Sequence, residues 1–135
     1  MKLDPEALQQ IVGRTLDHYQ TRAEAFWEGT RHHNVEQNIE ALLRHIKAAP
    51  PLTILDFGCG PGRDLRAFLQ RGHRAIGLEG AQALAEMARV HSGCDVWQQD
   101  FVQLELPAAW EEVKTLKHGD SWMRFLSLKN RCASQ

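Results

Sequence analysis

Leu52-Thr53-Ile54-Leu55-Asp56-Phe57-Gly58-Cys59-Gly60-Pro61-Gly62-Arg63-Asp64 is the stretch on which the reading of this chain turns. Its first six residues are short, apolar and β-prone, the pattern of a strand buried on both faces. The next five hold three glycines spaced by two. They form a turn in which the backbone can bend tightly and a ligand can approach where a Cβ would block it. Arg63-Asp64 opens a helix carrying Leu65, Phe68 and Leu69 and closed by Gly72. The start of that helix has free N–H groups, and Asp64 favours its positive end.

Downstream, the alternation repeats. Arg74 to Leu78 reads as a second strand, ending at Glu79-Gly80. A helix from about Ala81 to His91 follows, with Leu84, Met87 and Ala88 on one side, and Gly93 ends it. Asp95 to Gln99 is a third strand, followed by Asp100-Phe101. Strands and helices that alternate through short connections imply right-handed crossovers and a parallel sheet. The acid closing the second strand, Glu79, lies 17 residues beyond Gly62. A carboxylate there can accept hydrogen bonds from both hydroxyls of a ribose.

Upstream, Leu8, Ile11, Val12, Leu16 and Tyr19 recur in steps of three and four and mark one face of a helix from Pro5 to about Glu24. Phe26, Trp27 and a polar stretch follow. A second helix is expected from Asn34, with Asn34 and Gln37 as a capping box and Val35, Ile39, Leu42, Leu43 and Ile46 as its apolar face. Pro50-Pro51 ends it.

Composition excludes several classes of function. The 16 basic and 17 acidic residues leave a net charge of −1, so no electrostatic drive toward nucleic acid or an anionic membrane is expected. No apolar run approaches the roughly 20 residues that span a bilayer. Acids among the first six residues, Met1 to Glu6, point to a cytoplasmic protein. Cys59, Cys94 and Cys132 are odd in number and lack CxxC spacing, which suggests neither disulfides nor zinc. His32-His33 is adjacent rather than i,i+4, so no metal site is expected. Cys59 reads as a small filler of the glycine turn rather than a nucleophile.

The segment Ile54 to Asp64 resembles the first motif of the class I S-adenosylmethionine-dependent methyltransferases. Its acidic-x-Gly-x-Gly-x-Gly order differs from the Gly-x-Gly-x-x-Gly of dinucleotide enzymes. The resemblance implies a Rossmann-like α/β fold with strand order 3-2-1, preceded by two helices, and S-adenosyl-L-methionine as cofactor. Under it, Gly58, Gly60 and Gly62 form the loop beneath the cofactor's amino-acid part. Asp56 holds that loop or reaches the ammonium group, Glu79 binds the ribose, and Asp100 with Phe101 meets the adenine. The first fifty residues are similar to the helical cap of small-molecule methyltransferases, in which Tyr19, Trp27 and Arg31 are candidates to cover cofactor or substrate. Core packing competes for Tyr19, and a solvated surface role competes for Arg31.

The resulting division is a helical cap over residues 1–50, a cofactor-binding core over 51–107 and an atypical tail over 108–135. In the tail, Trp110 to Lys117 is polar where the family has an apolar fourth strand. A helix is expected over Ala109 to Leu116, and the apolar cluster Trp122 to Leu126 has no firm place, the alternative to truncation being an aberrant fourth strand over Trp122 to Leu128 in a working minimal protein. The 18 residues after Lys117 cannot supply strands five to seven. The expectation is a truncated methyltransferase for a small-molecule acceptor, with no catalytic residue assigned. The alternative is a non-catalytic cofactor-binding or interaction domain. Loss of the fourth strand would leave the first as an open edge, prone to self-association.

Overall fold

The computed structural model describes residues 4–103, 110–118 and 121–128. Three helices precede the first strand: α1 (Pro5–Thr21), α2 (Ala23–Thr30) and α3 (Glu36–His45). The sequence predicts two. The break falls at Arg22, whose φ of −117° and ψ of 16° leave the helical region. Phe26 and Trp27 thereby gain a helix of their own. The capping box at Asn34 does not form. The Asn34 side chain accepts from the Glu36 backbone N–H at 2.9 Å, and Val35 occupies the N-cap position.

Then come β1 (Thr53–Phe57), α4 (Arg63–Gln70), β2 (Arg74–Glu79), α5 (Gln82–Ser92) and β3 (Asp95–Gln98). The three strands form a parallel sheet in the order β1-β2-β3, with Leu55 opposite Ile76 and Gly77 opposite Val96. This is an incomplete Rossmann-like α/β architecture. The core lies where α4 and α5 cover the sheet, with Leu65, Leu78 and Leu84 fully enclosed. Central β2 is buried from Ala75 to Glu79. The apolar run of β1 suggested burial on both faces, yet Ile54 to Asp56 are half-buried and Phe57 is 45% exposed. The reason is position: among the described residues β1 pairs only with β2.

Residues 1–103 and 104–135 are two compact units. In the second, Trp110 to His118 is a strand, β4, and not the expected helix. It pairs antiparallel with β5 (Ser121–Leu128), with Lys117 opposite Trp122 and an irregularity between Glu112 and Lys114. Trp110, Val113 and Thr115 are strand-prone, and cross-strand pairing overrides the weak helical preference of Glu and Lys. Trp122 to Leu126 lies within β5 of that two-stranded sheet. No helix among the described residues is long and apolar enough to cross a membrane.

Candidate functional site

The site is built at the carboxyl ends of the parallel strands, the usual ligand crevice of an open α/β sheet. After β1 the chain folds back across β2: the N–H groups of Gly58 and Cys59 both donate to the Leu78 carbonyl, at 2.8 and 3.1 Å. Gly58 and Gly60 have φ of 77° and 53°, in the left-handed region. A Cβ at Gly58 would point at the Phe101 ring, 3.6 Å away, and one at Gly60 at Phe26, also 3.6 Å away. The two glycines therefore keep open a cradle walled by aromatic rings.

Glu79 closes β2 and is 7% exposed. Its Oε2 accepts from the Gly60 N–H and its Oε1 from the Ala81 N–H, each at 3.0 Å. One buried carboxylate thus ties the glycine loop to the start of α5. Each oxygen keeps a lone pair for a further donor. Beyond β3, Asp100 accepts from the Val102 N–H at 2.9 Å, which folds the turn that brings Phe101 against the loop. Phe57 and Phe101 lie 5.4 Å apart between ring centres.

A cavity of about 300 Å³ joins these parts. Of the residues singled out in the sequence, Gly58, Gly60, Glu79, Asp100, Phe101 and Tyr19 line it. Asp56, Gly62, Trp27 and Arg31 do not. Asp56 borders an adjoining cleft of about 140 Å³ with Thr30, Arg63 and Asp64. Burial, then the nearby Asp64 and Glu79 charges, push its carboxyl up to about 6, against an opposing pull from Arg63. Gly62 packs on α5, where a Cβ would stand 2.8 Å from Ala88 Cα. Trp27 stacks on His91 at 4.1 Å, and Arg31 pairs with Glu28 at 3.0 Å on the surface. Burial raises the Cys59 thiol to about 12, which keeps it an unreactive filler.

Sequence reasoning missed Phe26, which forms a wall of the cradle and stands edge-on to Tyr19 at 5.7 Å. The α1 stripe was legible only as one face of a helix. No residue of α1 is buried; Ile11, Val12, Leu16 and Tyr19 line the cavity instead. The periodicity was legible, but not what the face covers. Among the described lining residues there are two carboxylates and no lysine, arginine or histidine. Such a cavity suits a neutral or cationic ligand and disfavours a diphosphate.

Fold and site together define a Rossmann-like α/β unit with a ligand crevice at its strand ends. No family profile and no curated protein matches this chain. Among solved structures it is similar to the DhpI–S-adenosylhomocysteine complex, at 21% identity over 66% of this chain and 45% of that one, with a TM-score of 0.49. It is similar to a SAM-dependent methyltransferase from Anabaena variabilis ATCC 29413 at 22% identity, over 64% and 39%, with a TM-score of 0.49. A third is the complex of the Haloferax volcanii Trm112 methyltransferase activator with its candidate methyltransferase, at 23% identity, over 66% and 40%, with a TM-score of 0.45. The chain spans less than half the length of each.

Proposed function

We propose that this chain is the S-adenosyl-L-methionine-binding unit of a class I methyltransferase with a small-molecule acceptor. One observation carries the reading: the glycine loop, Glu79 and the Asp100-Phe101 pair, distant in sequence, meet around one cavity. In this reading Gly58 and Gly60 lie against the methionine part, with Asp56 beside its ammonium group. Glu79 holds the ribose hydroxyls, Asp100 and Phe101 hold the adenine, and the α1 face with Tyr19 and Phe26 excludes water. The residues fit such a group, since two glycines hold open a space that Cβ atoms would fill and the described lining residues include no cation. The bound cofactor supplies an electrophilic methyl carbon. This chain's own contribution is then binding, orientation and exclusion of water.

A second reading, a cofactor-binding domain without catalysis, draws support from the parallel sheet itself, which among the described residues has three strands, β1-β2-β3. Calorimetric titration with S-adenosylhomocysteine and with NADH tests the cofactor. S-adenosylhomocysteine is expected to bind and NADH not. A hydrogen bond to a charged group is worth about 1.5–3 kcal/mol, so Glu79→Ala should weaken binding at least about tenfold. Preference for NADH, or unchanged affinity in the variant, would overturn the assignment. A methyl-transfer assay on protein that retains cofactor affinity separates the two readings.

A further inference from the structure

The cavity's roof and floor meet where Phe26 of α2 faces Gly60 of the loop. The next residue on each side is engaged by one side chain that lies outside the cavity. Trp27 follows Phe26, and its indole stacks on the His91 imidazole with ring centres 4.1 Å apart and planes 25° from parallel. Pro61 follows Gly60, and its carbonyl lies 3.1 Å from His91 Nδ1. A carbonyl only accepts, so Nδ1 carries the proton and donates. His91 sits in the last turn of α5 and is half-buried, as is Trp27. At the far end of α2, Arg63 Nη1 donates to the Thr30 carbonyl at 3.1 Å.

From this geometry we infer that Trp27 and His91 are positioning residues, a clamp that fixes the spacing between Phe26 and Gly60 from behind. The stack fixes α2, and the hydrogen bond fixes the loop. Because both contacts are made by one imidazole, neither wall of the cradle can move without breaking a contact to the other. Trp27 lines a separate cleft with His91 and acts on the glycine-loop cavity through its neighbour Phe26. Neither Trp27 nor His91 lines the cavity, so their effect on ligand must be transmitted through position.

The experiment uses the full chain and two readouts. The first is amide hydrogen exchange without ligand in wild type, His91→Ala and Trp27→Ala. His91→Ala should speed exchange selectively in residues 26–30 and 58–62 and Trp27→Ala chiefly in 26–30, by up to about tenfold, since each contact of these kinds is worth roughly 2- to 12-fold. Unchanged exchange there, or an acceleration spread evenly over α5 and β2, overturns the clamp. The second readout is S-adenosylhomocysteine affinity, and this part rests on the function proposed above. His91→Ala should bind several-fold more weakly. His91→Asn, which retains a donor for Pro61, and His91→Phe, which retains the stack, should each restore part of the loss. Equal loss in all three overturns the positioning role. If the wild-type chain binds no S-adenosylhomocysteine, the proposed function falls, while the exchange pattern still decides the clamp.

Discussion

Substitution of Gly62 by alanine should destabilise the chain more than any other glycine-to-alanine change in the loop, for a reason unconnected with ligand. Gly62 has a φ of 86°, and an L-residue in the left-handed region costs about 1–2 kcal/mol. Its added Cβ would stand 2.8 Å from Ala88 Cα and 2.9 Å from the Ala88 carbonyl oxygen. Both are backbone atoms in the middle of α5, so no side chain can swing aside. Overpacking of this kind costs about 1–3 kcal/mol. The sum, about 2–5 kcal/mol, is a large part of the 5–15 kcal/mol typical of a domain. Gly72 supplies the control: its φ is 83°, but nothing lies within 4 Å of a Cβ there, so Gly72→Ala isolates the backbone cost. Urea unfolding followed by far-ultraviolet circular dichroism measures both. With a slope of about 2 kcal/mol/M, the Gly62→Ala midpoint should fall by roughly 1–2.5 M, and that of Gly72→Ala by clearly less. Equal shifts would refute the argument that contact with α5 requires a glycine at residue 62.

Two further outcomes are expected. Gly60→Val should abolish S-adenosylhomocysteine binding with the circular dichroism largely retained, because a branched side chain at φ 53° projects toward Phe26 into the cradle; surviving affinity in calorimetry would count against the loop as the binding element. The Asp56 carboxyl, raised from 3.8 to about 6, makes the folded chain bind more protons than the unfolded one across that window, so stability should fall as pH rises from about 4 to about 6. Asp56→Asn should flatten that slope in urea titrations at several pH values, and an unaltered slope would assign the dependence to another group.

The alternating units from Thr53 to Gln98 were legible in the sequence because each signal is local. A strand, a glycine turn and a helix are encoded within a few residues, and short connections leave one handedness for the crossovers. Glu79 and the glycine loop close successive parallel strands and so share one edge of the sheet, while the resemblance to the methyltransferase motif added Asp100 to that group. Other features depend on contacts between segments far apart in the chain. The exposure of the α1 stripe over a cavity and the approach of Phe26 to Gly60 are of this kind. Gly62 and Gly60 look alike in sequence, and only the position of α5 gives one to packing and the other to the cradle. Trp110 to His118 carries a helix-compatible composition, and its pairing with Ser121 to Leu128 makes it a strand. A strand's hydrogen bonds are completed by a partner, whereas a helix completes its own, so the sequence alone could decide the helices α4 and α5 but not that pair.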